Sequence, residues 1–147
     1  MNKEFIMPVD VRWSDLDPNF HVRHSVYYDW GAFCRINFLT EMGLGPEVLT
    51  KHHIGPILFK EECIFRKEIK YGDSLKISLH LLKSRKNHSR WSITHKIIKN
   101  DNTVAAILTV DGAWMDTRAR KLAMPPEIAL DVFNTMPRDE NFEWTGE

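Results

Sequence analysis

Between residues 13 and 25 the chain reads Trp-Ser-Asp-Leu-Asp-Pro-Asn-Phe-His-Val-Arg-His-Ser, which crowds carboxylates and imidazoles into one polar stretch. Asp17 or His21 could activate water, and Asp17 could also attack a carbonyl carbon directly. An apolar segment with helical character opens at Ser25, so the stretch lies where a helix begins. Helix starts present unpaired backbone amides with partial positive charge, and these suit a developing oxyanion. Asp-x-Asp also occurs in ordinary turns, where aspartate bonds its own backbone and caps helices. On the residues alone both readings stay open.

Other chemistries find less support. Asp15, Asp17, His21 and His24, with His52-His53 further on, are metal-ligand types, but their spacing matches no zinc signature. No metal and no cofactor is expected. There is no serine nucleophile elbow and no phosphate-cradling glycine loop. Twenty basic residues balance twenty acidic ones. The broad positive field of a nucleic-acid binder is therefore missing. Local basic patches remain: Lys83, Arg85, Lys86 and Arg90 in one place, Arg118, Arg120 and Lys121 in another. Either could meet a phosphate, though such runs are commonly just solvated surface.

The elements that would position these residues follow from periodicity. Phe5 to Trp13 alternates apolar and polar, as a half-buried strand does. From Ser25, a plausible cap, to Met42 the apolar residues run nearly all round a helix, which predicts burial on most sides. Gly43, Gly45 and Pro46 supply stop chemistry, and a short polar connection through Lys51 to His53 follows. Ile57 to Lys70 reads as a long extended segment closed by the turn Tyr71-Gly72-Asp73. Leu75 to Leu81 and Trp91 to Ile97 alternate like strands of a hairpin with its tip at Ser84 to His88. Thr103 to Met115 is apolar on both faces, as in a central strand covered twice, and its outer surface or edge suggests a second subunit. A short helix is expected from Pro126 to Phe133. Tyr27 and Tyr28, on the first turns of the long helix, are either pocket lining or plain core.

A chain of 147 residues with 43% hydrophobic content fits one domain, expected over residues 1–136, with an acidic and loosely held tail over 137–147. Cys34 and Cys63 read as buried free thiols. The first residues resemble neither a signal nor a transit peptide, and no apolar run is long enough to span a bilayer. A cytoplasmic location without membrane attachment is expected. The order strand, buried helix, long antiparallel strands predicts an α+β hotdog fold, a curved antiparallel sheet wrapped around one long helix.

The string Arg12-Trp13-Ser14-Asp15-Leu16-Asp17-Pro18, with His21-Val22 and Tyr27, resembles the signature of 4-hydroxybenzoyl-CoA thioesterase-like hotdog acyl-CoA thioesterases. So do Tyr71-Gly72-Asp73, and Ala113-Trp114-Met115-Asp116 followed by Arg118, Lys121 and Pro125-Pro126. The resemblance covers roughly residues 5 to 133 and is most specific in its first motif. It implies hydrolysis of an acyl-CoA thioester, with Asp17 as nucleophile or general base. It also implies that the backbone amide of His24 polarises the thioester carbonyl, and that phosphate contacts lie near subunit interfaces of a homodimer or homotetramer. His21 would assist, Tyr27 could line the acyl pocket, and Arg85, Lys86 and Arg90 are the candidates for the phosphates. Many relatives carry Gly-His-Val-Asn-Asn where this chain has Phe20-His21-Val22-Arg23-His24, which bears on substrate and rate. Two rival readings are a hotdog dehydratase acting on acyl thioesters and a binder of acyl-CoA or acyl-carrier partners that does not turn them over.

Overall fold

The computed structural model describes residues 3–146. Seven strands form one sheet: β1 (Phe5–Val9), β2 (Ile54–Phe65), β3 (Leu75–Ser84), β4 (Arg90–Lys99), β5 (Val104–Asp116), β6 (Lys121–Leu122) and β7 (Arg138–Trp144). The order is β1-β3-β4-β5-β2, with β6 beside β5 and β7 beside β3. All pairs are antiparallel except β3 with β7. Register shifts interrupt β2 against β5 at Leu58/Lys60, β3 against β4 at Leu81/Lys83, and β4 against β5 at Ile97/Ile98. Such bulges bend strands and deepen their twist, so this long-stranded sheet curls instead of lying flat.

Three helices accompany it: α1 (His24–Glu41), α2 (Pro46–Lys51) and α3 (Glu127–Thr135). Helix α1 buries Tyr27, Trp30, Gly31, Cys34 and Phe38, a three-to-four residue spacing that defines one face. That face meets the sheet. The Phe38 ring stands edge-on to Phe5 of β1 at 5.3 Å, and a methyl group placed on Gly31 would lie 3.4 Å from both His95 and Leu108. Phe33 on another face is 53% exposed, so the all-round burial expected for this helix is not met within one chain. The helix ends in a Schellman motif: Gly43, at φ 90°, donates to Thr40 O, and Leu44 donates to Leu39 O at 2.7 Å.

Several boundaries differ from expectation for local reasons. The helix begins one residue before Ser25, at His24, with Arg23 in the cap position. Strand β1 stops at Val9, and Trp13–Asp15 forms a 3-10 turn, because Asp15 folds back to take the Arg12 amide at 2.8 Å. Strand β2 ends at Phe65, not at Lys70. The expected polar connection after α1 contains α2, with Pro46 in its first turn, where a missing N–H costs nothing. The outer side of β5 is half open, with Ile107 only partly buried. Cys34 is buried and Cys63 half-buried, both free.

The loosely held tail is corrected too. Its residues pair with β3 as β7, and Arg138 lies over the rings of Phe142 and Trp144 at 4.6 and 4.8 Å. Trp144 in turn packs on buried His88. Cation–π stacking and a ladder thus hold a segment whose charge alone suggested solvation.

Close approach at one point sets the packing of β2, β4 and β5. A Cβ on Gly112 would stand 2.6 Å from Ile57 O and 2.4 Å from the Trp91 ring, and the first of these is backbone. Gly112→Ala is therefore expected to cost about 2 kcal/mol, to be read from chemical denaturation. An unchanged midpoint would show that the strands separate freely.

Candidate active site

The polar stretch is a tight loop between β1 and α1. A bridge between Leu16 and Val22 closes it, and a second between His21 and Lys70 ties it to the segment after β2. Within it Asp17 forms an Asx turn. Its Oδ1 accepts the amides of Asn19 at 2.8 Å and His21 at 3.2 Å, and its carbonyl accepts Phe20 N at 2.9 Å. No hydrogen bond from the described residues reaches Oδ2. A half-buried carboxylate is thus oriented through one oxygen while the other stays available.

Asp15 does a different job. It is fully buried, takes Arg12 Nε and Nη2 on Oδ1 at 3.1 and 2.8 Å, and its carbonyl accepts Arg23 N at 2.9 Å. Burial alone would raise its pKa, but the Arg12 hydrogen bonds and charge outweigh that and hold it below the ordinary value. The two aspartates of the motif are therefore divided: Asp15 is structural, and Asp17 borders solvent.

Helix α1 starts beside this loop. Arg23 donates from Nη1 to Ser14 O and from Nε to Ser25 Oγ, so its charge is spent pinning the 3-10 turn to the helix start. Val26 N returns to Arg23 O at 3.1 Å. The amides of Ser25 and His24, one and two places earlier, have no intrahelical acceptor. The His24 side chain is exposed.

The His21 imidazole does not contact the Asp17 carboxylate. Its Nε2 faces Glu68 Oε2 at 3.2 Å, and its hydrogen bonds with Asp17 run through the backbone: the His21 amide donates to Oδ1 at 3.2 Å and the His21 carbonyl accepts Asp17 N at 2.8 Å. Glu68 was invisible to sequence reasoning, because the loop that carries it meets His21 only through the bridge to Lys70. Tyr27, in contrast, is brought to the site. It is 4% exposed, packs edge-on to Phe65 at 4.9 Å, and its pKa is pushed up to about 12, by burial first and then by the charges of Cys63, Asp17 and Glu68. Its phenol therefore stays neutral and can donate a hydrogen bond at physiological pH.

Phe20 is the first residue at which the chain departs from the pattern it resembles. Its φ is 65°, the left-handed region that favours glycine, and its ring is 64% exposed. Trp13 lies 6.3 Å from it and 5.9 Å from Tyr71, so three exposed rings border the loop. Phe20→Gly relieves roughly 1 kcal/mol of backbone strain and adds unfolded-state freedom worth roughly 0.5–1 kcal/mol. Near-neutral stability is the expected result in a denaturant titration. A loss above about 2 kcal/mol would mean that the ring stack holds the loop together.

The basic candidates lie elsewhere. Val9 pairs with Leu75 at one end of β3, whereas Arg85, Lys86 and Arg90 sit in the hairpin beyond Ser84 at the other. Nine residues of strand separate these ends by about 30 Å. Arg85 and Arg90 line a cleft of about 210 Å³ with Ser89, Leu122 and Met124, and Arg90 stacks over Phe59 at 4.9 Å. Lys86 is not among its lining residues. Within one chain the hairpin and Asp17 do not meet. Among the described residues no three His, Cys, Asp or Glu side chains converge as a metal-ligand set.

Comparison with known proteins places this arrangement. A family model described as the thioesterase-like superfamily matches residues 11–132. The chain belongs to that superfamily. Solved structures of similar fold include a hypothetical protein from Staphylococcus aureus in complex with CoA. It is 17% identical, covers 95% of this chain and 89% of its own, and has a TM-score of 0.83. A gentisyl-coenzyme A thioesterase is 22% identical over 88% of this chain and 99% of its own, with a TM-score of 0.75. A 1,4-dihydroxy-2-naphthoyl-CoA thioesterase from Synechocystis is 15% identical over 90% and 96%, with a TM-score of 0.79. At these identities the likeness is one of fold. No curated protein sequence matches the chain. As a thioesterase-like chain it has no helix, among the described residues, long and apolar enough to cross a membrane.

Proposed function

We propose that this chain hydrolyses acyl-coenzyme A thioesters from a hotdog fold whose curled sheet wraps α1. The observation that carries the reading is Asp17: a carboxylate oriented by two backbone amides on Oδ1, with Oδ2 available, on the loop that leads into α1. Either Oδ2 attacks the thioester carbon, or it takes a proton from water as the water oxygen attacks. In both routes the tetrahedral oxyanion is met by the unpaired amides of His24 and Ser25, and the C–S bond breaks as the CoA thiolate leaves. In the covalent route water then opens the Asp17–acyl anhydride, releasing the acid and restoring the carboxylate, and the thiolate takes its proton from solvent; in the other route the proton that Asp17 took from water passes to the thiolate. His21 assists through its amide and its link to Glu68. Tyr27 borders the acyl group. No cofactor is needed.

Arg85 and Arg90 receive the CoA phosphates, joined by Lys86 from the same hairpin. Because these residues lie at the far end of the sheet from Asp17 in one chain, a single ligand would span two copies. The outer edge of β2 offers the joining surface. Among the described residues it pairs with nothing beyond β5, and Leu58, Phe59, Ile64 and Phe65 on this strand are 41–56% exposed. A homodimer or homotetramer follows. We assign it to the cytoplasm, in keeping with two cysteines that remain free thiols.

The test is release of CoA thiol from aromatic, short and long acyl-CoAs. Aromatic members come first, given the rings of Trp13, Phe20 and Tyr71 and the compounds that name the two thioesterases of similar fold. Turnover of at least one thioester is expected. None across the panel would overturn the reading in favour of a binder or a dehydratase.

A further inference from the structure

Tyr27 carries a polar atom that the fold leaves unused. It is 4% exposed, yet among the described residues its hydroxyl makes no hydrogen bond. A tyrosine buried this far ordinarily pairs its O–H, because an unmade bond is costly. The oxygen is not sealed, unlike the Ser89 hydroxyl and the Trp91 indole nitrogen, so part of the surface that Tyr27 keeps belongs to it. A donor is thus held open to an acceptor from outside the fold.

Packing and helix geometry both place that donor beside the Asp17 loop. The ring stands edge-on to Phe65 at 4.9 Å and lies 5.6 Å from Trp30, which sets it at the end of β2. The chain beyond β2 is tied to the loop by Val22 N, which donates to Ile69 O at 2.8 Å, and by the bridge from Lys70 to His21. A helical side chain also leans toward the helix N-terminus and covers the turn before its own Cα. For Tyr27 that turn is Arg23 and His24, where the unpaired amides begin. Behind burial and Cys63, the charges of Asp17 and Glu68 act on the phenol. None of these groups takes its proton. A free donor between a carboxylate and two unpaired amides is complementary to an oxygen that gains negative charge.

We propose that the Tyr27 hydroxyl is a third donor of the oxyanion hole, giving a hydrogen bond to the thioester carbonyl oxygen as Asp17, or the water it activates, adds to the carbonyl carbon. This rests on the thioesterase reading above. The phenolic proton stays on Tyr27 throughout. The bond strengthens as the carbonyl π pair moves onto oxygen and relaxes when the C–S bond breaks, so its effect falls on the transition state.

Tyr27→Phe keeps the ring against Phe65 and Trp30 and removes only the hydroxyl. On the thioester that the wild type turns over fastest, benzoyl-CoA being tried first, kcat should fall about 10²-fold with KM held within about threefold. The denaturation midpoint should not fall, since the fold loses no hydrogen bond. Wild-type turnover that collapses in Asp17→Asn but stays within about threefold in Tyr27→Phe overturns the inference and leaves the thioesterase reading standing. No turnover by the wild type is instead the failure of that reading, and the inference goes with it. A hydroxyl that merely steadied Asp17 would give the same rate loss. The carbonyl stretch of the same thioester, bound to Asp17→Asn so that it survives, separates the two roles. Adding Tyr27→Phe to that variant should raise the stretch, because one donor to the oxygen is gone. An unmoved stretch means that the hydroxyl does not touch the carbonyl, and the proposal fails.

Discussion

Asp17→Asn is expected to lower thioester turnover by about 10³-fold while leaving the fold in place. The substitution preserves Oδ1, which accepts the Asn19 and His21 amides, so the Asx turn survives. What disappears is the ionised oxygen that attacks carbon or takes the proton from water. Stability should therefore move by less than about 1 kcal/mol, and the rate loss should appear in kcat. Thiol-release kinetics alongside a denaturation curve separate the two quantities. A variant that keeps its rate within about tenfold would remove Asp17 from the chemistry and with it the proposed mechanism. Asp15→Asn makes a contrasting control. That residue is buried on Arg12, and its loss should be felt in stability before rate.

Acid should unfold this protein early. His95 is fully buried, and its Nδ1 donates to Ser78 O at 2.9 Å, which leaves Nε2 as the acceptor for Arg35. Protonation would set a second cation against that guanidinium. Burial first, and then the Arg35 charge, push the His95 pKa down to about 3. In the unfolded chain the same ring titrates near 6.5. Below that pH the unfolded state binds a proton that the folded state refuses, so stability is full above about 6.5 and falls with pH until about 3. Each unit costs about 1.4 kcal/mol, or about 3 kcal/mol between pH 6.5 and 4.5 from His95 alone. His88, held between Ser84 and Asn134 and lowered chiefly by burial, acts in the same direction. Urea denaturation at pH 7.5 and 4.5 measures the drop. His95→Gln keeps an acceptor for Arg35 and cannot titrate, so it should flatten most of the slope. A wild-type curve already flat over that range would contradict the burial argument.

The candidate site was legible where chemistry is local. Asp17, the helix that follows it and the turn at Tyr71 to Asp73 lie on short stretches whose residue types dictate their geometry. Phe20 stands out in the sequence as a departure from the resemblance, but only the backbone angles show what the position demands: it is left-handed, and a phenylalanine holds it nonetheless. For His21 the sequence leaves open a pair with the carboxylate or a structural hydrogen bond, and the structure turns its ring to Glu68, a partner that no local pattern announces. The acidic tail was misread for a related reason. Charge suggested solvent, and the stacking of Arg138 on two aromatic rings became visible only in three dimensions.

By itself the sequence determined the types of the long elements, α1 and β2 to β5, because alternation and helical spacing are local consequences of which faces are wet; the 3-10 turn, α2 and β7 escaped it. It also determined the motif that marks the superfamily. Tertiary structure alone decided that Arg85 and Arg90 lie a strand's length from Asp17, that Asp15 is buried while Asp17 is not, and that Arg35 meets His95. Except for the contrast between the two aspartates, these are relations between residues tens of positions apart. Strand register and helix packing fix them, and no local pattern encodes either.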